Sequence, residues 1–306
     1  MKEYFLLFLL ALVATAGVAQ NDVGFTQFNW NKMAYNPAYA GANRVLDVAA
    51  VYRNQWAGIE GAPSSLNAAA NGAFLDNRLG LGLNLQNDRI GMTETQQVAL
   101  NYAYKFSLNE KTKLSIGLST ALERYETDWS QSRPDQAGDV ALPGFAATAT
   151  RPNFGAGAYL FSENYFIGVS MPRLLSNRTD LTNALETNAG GNPQTLFLMA
   201  GYVLPLSEQV DFRPTVLLTH NPAAPFDVDV NLNFLFAKTL WVGANYRWND
   251  SLAGVIQYEF DRRIRLGLSY DFTLSELSKA TSGSFEVMVG YTFECADCRV
   301  ENLRYF

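Results

Sequence analysis

The chain has 306 residues, of which 17% are charged and 13% aromatic, and its formal net charge is −6. Charged residues fall below the roughly 25% of an average soluble domain, and the acidic balance is unlike the basic surplus of a nucleic-acid-binding protein. One histidine and two cysteines leave few side chains for metal binding or nucleophilic catalysis.

Residues 1–19 have the layout of a secretory signal peptide. Lys2 gives a positive start, residues 4–13 are apolar, and small residues lead to Ala19. The apolar run is too short to cross a bilayer about 30 Å thick as a helix, whereas this order of regions is typical of a cleaved signal. We therefore expect export and a mature chain that begins at Gln20. No later run reaches the about 20 apolar residues that a membrane helix needs.

Residues 20–44 precede the first predicted strand. They contain Asn-Pro and Ala-Gly pairs, which favour turns. We expect this segment to be a periplasmic lead-in or a plug for the structure that follows.

From residue 45 onward, apolar and polar side chains alternate. In residues 263–272, apolar side chains occupy every second position, and mainly polar or small residues occupy the others. A strand places successive side chains on opposite faces, so this pattern predicts strands with one apolar and one polar face. Most segments have about 10 residues, the length with which a tilted strand crosses a bilayer. Fourteen strands are predicted, at 45–53, 65–74, 79–87, 94–106, 112–125, 153–161, 164–171, 194–205, 209–219, 227–236, 239–248, 251–260, 263–273 and 284–294.

The alternation fits either a soluble sandwich with apolar faces in a core or a membrane barrel with apolar faces toward lipid. Aromatic pairs recur at the ends of the apolar faces, as in the aromatic girdles of barrels. They are Tyr104 and Phe106, Tyr246 and Trp248, Tyr258 and Phe260, Tyr270 and Phe272, and Tyr291 and Phe293. We therefore predict an all-β, 14-stranded antiparallel outer-membrane β-barrel over 45–294, with the lipid bilayer as a partner and residues 295–306 as a C-terminal tail.

Short and long connections alternate along the predicted barrel. Links such as 75–78 and 206–208 are short, whereas 54–64, 88–93 and 126–152 are longer. In bacterial barrels the short turns lie on the periplasmic side and the long loops outside. Both chain termini are then expected on the periplasmic side.

Charged residues also fall on the polar faces of the predicted strands. Charges enclosed in a barrel need partners, so we expect ion pairs across the lumen or bound water. A packed polar interior and an ion pathway are both compatible with the pattern. The residues are Lys105, Asp229, Arg247, Arg265, Asp271 and Glu286.

Two candidate reactive groups carry little chemistry by themselves. Cys295 and Cys298 form a C-x-x-C pair, which is half of a tetrahedral zinc site. An oxidising envelope favours a local disulfide or two free thiols over a redox or metal role. His220 could serve an outer-membrane hydrolase, but no G-x-S-x-G segment accompanies it. We expect a solvated loop histidine, no metal and no cofactor.

Two segments around the first strand resemble those of a known family. Residues 35–41 read Y-N-P-A-Y-A-G, and residues 53–63 read R-N-Q-W-A-G-I-E-G-A-P. Together with the ending Arg304-Tyr305-Phe306, they resemble the PorP/SprF family of Bacteroidetes outer-membrane proteins, although Leu303 replaces a proline that is common in the family. The two segments either fix the lead-in to the barrel or contact a partner, since loops often carry binding. The candidate residues are Tyr35, Asn36, Pro37, Tyr39, Gly41, Arg53, Gln55, Trp56, Gly58, Gly61 and Pro63.

The resemblance implies a non-enzymatic outer-membrane component of the type IX secretion system. Some members of the family assist the secretion or surface attachment of partners such as gliding adhesins, and others work with periplasmic components of the machine. Two alternatives are a general or solute-specific pore and, with less support from the composition, a barrel enzyme that uses His220.

Overall fold

The computed structural model describes residues 24–131, 146–176, 194–222, 225–261 and 263–293. Nearly all regular structure in these residues is β-strand, and the few helical turns are 3₁₀ turns. No helix in the described part of the chain is long and apolar enough to cross a membrane. The strands are β1 (Asp47–Asn54), β2 (Ser64–Phe74), β3 (Leu79–Ile90), β4 (Thr93–Ser107), β5 (Lys113–Asp128), β6 (Ala146–Phe161), β7 (Tyr165–Met171), β8 (Leu196–Tyr202), β9 (Leu204–Pro205), β10 (Val210–His220), β11 (Asp227–Phe236), β12 (Leu240–Arg247), β13 (Ser251–Phe260), β14 (Ile264–Thr273) and β15 (Ser284–Thr292). The 3₁₀ turns are Phe28–Trp30, Lys32–Ala34, Pro37–Tyr39, Trp129–Gln131 and Glu276–Lys279.

The strands form one closed antiparallel barrel. Each strand pairs with its neighbour in sequence, and β15 closes the sheet on β1, with Asp47 opposite Thr292 and Asn54 opposite Phe285. β8 and β9 are two parts of one strand that is interrupted at Val203, and both pair with β10. The predicted 14-stranded barrel is therefore confirmed, with one short additional segment.

The barrel wall is apolar outside and polar or small inside. On β5, Leu118 and Leu122 are each 60% exposed, whereas Ser115, Ser119 and Glu123 on the opposite face are buried. A soluble sandwich would bury its apolar faces, but here they form an exposed belt of the kind that contacts lipid. The enclosed face is the polar one, so the structure is a barrel and not a sandwich.

The two ends of the barrel differ in their connections. At one end, here called the short-turn end, β2–β3, β4–β5, β6–β7, β9–β10, β11–β12 and β13–β14 are joined by turns of a few residues. The opposite, long-loop end carries connections such as 55–63, 172–195 and 274–283. Aromatic pairs lie at both ends of the apolar belt, for example Tyr258–Phe260 at the short-turn end and Tyr270–Phe272 at the long-loop end.

Several strands rise beyond the apolar belt at the long-loop end. β3 and β4 pair as far as Ile90 and Thr93, so the predicted long connection 88–93 is wrong and only Gly91 and Met92 form the turn. Likewise, β6 begins at Ala146, whereas residues up to 152 were predicted as loop. The outward residues of these extensions are mostly polar or small because they stand above the lipid, so the alternation that predicts membrane strands is absent.

Candidate functional site: a plugged lumen and its rim

Residues 24–44, here called the plug, lie inside the barrel. Every residue of the plug is buried or half-buried. Near its start, Thr26 contacts the long-loop halves of β14 and β15, through Asp271 and Glu286. Near its end, Gly41 contacts the short-turn end of β2, through Asn71. The plug therefore descends through the lumen from the long-loop end to the short-turn end, and then continues into β1.

The path puts the start of the plug at the long-loop end. Residues 20–44 were expected to form a periplasmic lead-in or a plug. Gly24 lies at the long-loop end, where its carbonyl accepts a hydrogen bond from Arg247, the last residue of β12 (3.2 Å). The first described residue of the plug and the start of β1 thus lie at opposite ends of the barrel.

A buried charged cluster holds the start of the plug. The Arg53 guanidinium lies 2.8 Å from an Asp271 carboxylate oxygen and 2.7 Å from a Glu286 oxygen. The backbone N–H groups of Thr26 and Gln27 donate to Glu286 (2.6 and 2.9 Å). We call Arg53, Asp271, Glu286 and Thr26 the latch.

The Thr26 hydroxyl completes the latch. It donates to Asp271 (2.8 Å) and accepts from Arg53 (3.1 Å). Each of the three charged side chains is at most 2% exposed. Hydrogen bonds to charged groups are the stronger class, and removing one member of such a buried set leaves uncompensated charge. The latch therefore joins three separate parts of the chain, which are the plug, β1 and the β14–β15 pair.

The second half of the plug is held mainly by shape. Ala38 lies directly against Gly117 of β5, and Ala40 lies against Gly80 of β3, where an added Cβ would overlap plug backbone atoms. The Asn36 amide oxygen accepts from the Ala38 N–H (2.9 Å), and its amide nitrogen donates to the Ala158 carbonyl of β6 (3.0 Å). Small residues on both sides thus let plug and wall backbones approach closely.

Aromatic rings pack around this contact. Tyr35 meets Phe197 edge-on at 5.2 Å between ring centroids, and Tyr39 meets Tyr159 at 5.6 Å. The Tyr35 hydroxyl also accepts from the Phe25 N–H (2.9 Å), which fixes two parts of the plug to each other. A cavity between the plug and the wall has a volume of about 10 Å³, room for about one water molecule.

Polar contacts hold the end of the plug at the short-turn end of the barrel. Gly41, at a positive φ of 65°, approaches Gly80 and donates to the Asn71 side chain (3.0 Å). The Lys105 ammonium donates to the Gly41 carbonyl and to Asn77 (2.6 Å). Nearby, the Arg213 guanidinium lies 4.8 Å from the Trp30 ring and 4.2 Å from the Trp241 ring.

The six strand charges singled out in the sequence are buried or nearly buried on the inner wall. Asp271 and Glu286 belong to the latch, and Lys105 holds Gly41. Arg247 pairs with Asp229 (3.0 Å) while it contacts Gly24, and Arg265 pairs with Asp47 at the start of β1. Most of these charges therefore secure the plug or its junction with β1. The sequence did not single out Thr26, Asp47 or Asn71, because nothing in their spacing reveals the partners.

The family-like segments separate into a buried set and a rim set. Tyr35, Asn36, Pro37, Tyr39 and Gly41 are all buried in the lumen, and Arg53 is buried in the latch. These six residues are therefore enclosed between the plug and the wall in this structure. The rim set comprises Gln55, Trp56, Gly58, Gly61 and Pro63, which are exposed or half-buried at the long-loop end.

Residues 55–63, the rim loop, are tied to both neighbours. The Trp56 N–H donates to the Ser284 hydroxyl (3.0 Å), and the Ala57 N–H donates to the Gly283 carbonyl (2.8 Å). On the other side, the Gly91 N–H donates to the Gly61 carbonyl (2.9 Å). Gly58 and Gly61 have φ values of 97° and 72°, a region that glycine adopts readily.

Only one of the two reactive candidates, His220, lies in the described part of the chain. His220 ends β10 on an exposed surface, with the Phe226 ring 6.4 Å away. Within the described ranges, no group of three His, Cys, Asp or Glu side chains could hold a metal ion. Cys295 and Cys298 lie outside the described residues.

Solved structures that resemble the chain include the Acinetobacter baumannii outer membrane protein Omp33 (9% identity, 83% of this chain and 100% of that one, TM-score 0.48). Others are the monoaromatic hydrocarbon channel CymD (12% identity, 87% and 93%, TM-score 0.49) and the P. putida toluene transporter TodX (10% identity, 85% and 93%, TM-score 0.48). No curated protein matches the chain.

A family model covers nearly the whole barrel and the plug. It is described as type IX secretion system membrane protein PorP/SprF and matches residues 17–291. The match includes both segments that build the plugged lumen and its rim. The chain therefore belongs to the PorP/SprF family of type IX secretion system membrane proteins.

Proposed function

We propose that this protein holds a secreted partner at its long-loop end and contacts periplasmic components of the type IX secretion machine at its short-turn end. In barrels of this kind the long loops lie outside the cell and the short turns face the periplasm. Family membership supports the link to secretion, and partners such as gliding adhesins are the class that it suggests. The protein then acts by attachment, without catalysis.

The observation that carries the proposal is the plug. An open lumen would expose the side chains inside it to water. Phe28 and Gln27 are instead 0% exposed, and Tyr35 is 3% exposed. A lumen filled with such side chains favours binding by the surfaces at its two ends over transport through its centre. At the long-loop end, the rim loop offers exposed positions, including Gly58 and Glu60, on a loop that is fixed at both sides.

The test is a gene deletion followed by an inventory of secreted proteins. Mass spectrometry of the cell surface, the medium and the periplasm should show that one secreted protein leaves the surface fraction. Its appearance in the medium would indicate a defect of attachment, and its accumulation in the periplasm would indicate a defect of secretion. An unchanged distribution of all secreted proteins contradicts the proposal.

Complementation with two matched variants locates the contact. Replacing residues 57–62 of the rim loop by a Gly-Ser linker should leave the partner off the surface, because the exposed part of the rim is lost. Replacing the exposed ion pair Arg124 and Glu126 of β5, on the outer wall toward the same end, by glutamines should restore surface attachment. If the rim-loop variant also restores it, the rim loop is not the contact.

The solute-pore alternative makes a different prediction. A barrel closed by its own plug should pass little current when the purified protein is inserted into planar bilayers without a partner. Stable, large single-channel currents of the unmodified protein would favour the pore. The barrel-enzyme alternative is tested by His220→Ala, which should leave the surface distribution of the partner unchanged.

A further inference from the structure

Arg53 stands at the junction between the rim loop and the plug. It is the second-last residue of β1, and the rim loop starts two residues later, at Gln55. Its guanidinium is 2% exposed and contacts the Thr26 hydroxyl as well as two carboxylates. A shift of the rim loop therefore acts on the residue that closes the latch.

The carboxylates of the latch lie at the base of the neighbouring loop. Asp271 precedes the end of β14 by two residues, and Glu286 follows the start of β15 by two. The loop 274–283 between these strands exchanges hydrogen bonds with the rim loop, because Ala57 N–H donates to Gly283 and Ser282 N–H donates to Ala57 (both 2.8 Å). All three charged members of the latch are thus attached to two interlocked loops.

The two halves of the plug are held in different ways. Residues around Ala38 and Ala40 lie against wall glycines with no spare room. The start of the plug is fastened by the charged latch and by the Arg247 contact with Gly24. Buried charge pairs lose their advantage once one partner withdraws and water reaches the other. The start of the plug is therefore the half that a loop movement could release.

We propose that the rim loop controls the plug, because displacement of residues 55–63 withdraws Arg53 from the latch and frees the start of the plug while its second half stays seated. This coupling gives the two family-like segments a joint role. It also provides a route by which an event at the long-loop end changes the interior of the barrel. The proposal does not depend on the identity of any partner.

The experiment measures access to the start of the plug. A reporter thiol is introduced by Phe28→Cys, at a site that is 0% exposed, with Cys295 and Cys298 replaced by serine. Gly58→Val disturbs the rim loop through its backbone, since Gly58 has φ 97° and only the Ser282 hydroxyl lies within 4 Å of an added Cβ. Asp261→Val is the control, because Asp261 has φ 47° in an exposed turn at the short-turn end, away from the start of the plug.

The expected result is faster modification of the reporter thiol by a water-soluble maleimide. Because breaking the buried charge set unfastens the start of the plug, Gly58→Val and Arg53→Gln should each accelerate labelling by about tenfold or more. Asp261→Val should stay within about twofold of the reporter protein, since backbone strain at the short-turn end does not reach the latch. The double variant Gly58→Val with Arg53→Gln should be no faster than the faster single variant, because both act on one step.

Two results overturn the proposal. If Arg53→Gln accelerates labelling and Gly58→Val does not, the latch holds the plug but the rim loop does not control it. If neither variant accelerates labelling, the latch does not retain the start of the plug. Heat-modifiable migration in gels verifies that each barrel is folded. Should Arg53→Gln fail to fold, Glu286→Gln replaces it, since it removes the charge that accepts the Thr26 and Gln27 N–H groups.

Discussion

Gly117 and Gly80 determine how closely the plug approaches the wall. An added Cβ at Gly117 would overlap the backbone of Ala38, and one at Gly80 would overlap the Ala40 carbonyl. Backbone atoms cannot move aside as the end of a flexible side chain can. The contact therefore requires the absence of a side chain on the wall, and it pairs these glycines with alanines on the plug.

Gly117→Val should destabilise the folded barrel because either the plug or β5 must move. We expect the free energy of unfolding to fall by about 2 kcal/mol or more, in the range of overpacked cores. Gly254→Val is the control, since a Cβ at Gly254 meets nothing within 4 Å and Gly254 faces outward. Urea unfolding in lipid vesicles measures both. Equal stability of the two variants would show that the plug is not seated at Gly117.

Period-two alternation in a sequence predicts the direction of a strand side chain but not its partner. Period-two alternation placed side chains such as Lys105 and Glu286 on the inner face, because a strand leaves only two directions. It could not pair Arg53 with Glu286, which are 233 positions apart. Nor could it place Tyr35 in the lumen, because an isolated turn-rich segment has no periodicity that reveals what covers it.

At the scale of elements, the side chains on the outward face of β4 indicate where the edge of the membrane lies. Leu100 on this face is 46% exposed and lies among apolar neighbours. Farther toward the long-loop end, Gln96 is exposed and donates to Glu94 (2.9 Å). On the adjacent strand, Arg124 and Glu126 form an exposed pair at 2.7 Å. The surface thus changes from lipid-facing to water-facing between Leu100 and Gln96.

A charge on either side of this boundary should have different effects. Leu100→Arg places a guanidinium in the apolar belt and should cost about 2–4 kcal/mol of folding free energy in a bilayer, as at the centre of other barrels. Gln96→Arg lies on the same strand and face but in water, where surface substitutions change stability by about 0.5 kcal/mol or less. Folding titrations in vesicles compare them. If Gln96→Arg costs as much folding free energy as Leu100→Arg, the apolar layer of the bilayer extends past Gln96 toward the long-loop end.

The same boundary explains which element limits were predictable. Strands inside the bilayer, such as β11 (Asp227–Phe236) and β13 (Ser251–Phe260), have the limits that alternation predicts, because lipid on one side and the lumen on the other impose it. The start of β6 was misplaced because residues 146–152 have water on their outer side. These residues pair with β5 through their backbones. Backbone pairing does not require apolar side chains, so the sequence shows no alternation there.

At the scale of the whole molecule, the barrel and the plug differ in how far the sequence defines them. Fourteen alternating segments and short turns are sufficient to predict a closed antiparallel barrel, because an exposed edge is removed only by closure. The position of the plug depends on contacts with many strands at once, from β2 to β15. Its direction follows from the ends of those strands, which place Gly24 and the start of β1 at opposite ends of the barrel.

The orientation of the barrel in the membrane can be tested independently of any partner. Short turns belong on the periplasmic side in bacterial barrels, so an epitope inserted into the exposed turn at Ser207–Glu208 should be stained only in permeabilised cells. An epitope inserted at Glu276–Lys279, which is exposed at the long-loop end, should be stained on intact cells. Staining of both sites after permeabilisation is the control for expression. The reverse pattern would put the start of the plug and the rim loop in the periplasm, where the rim could meet the secretion machine but no protein at the cell surface.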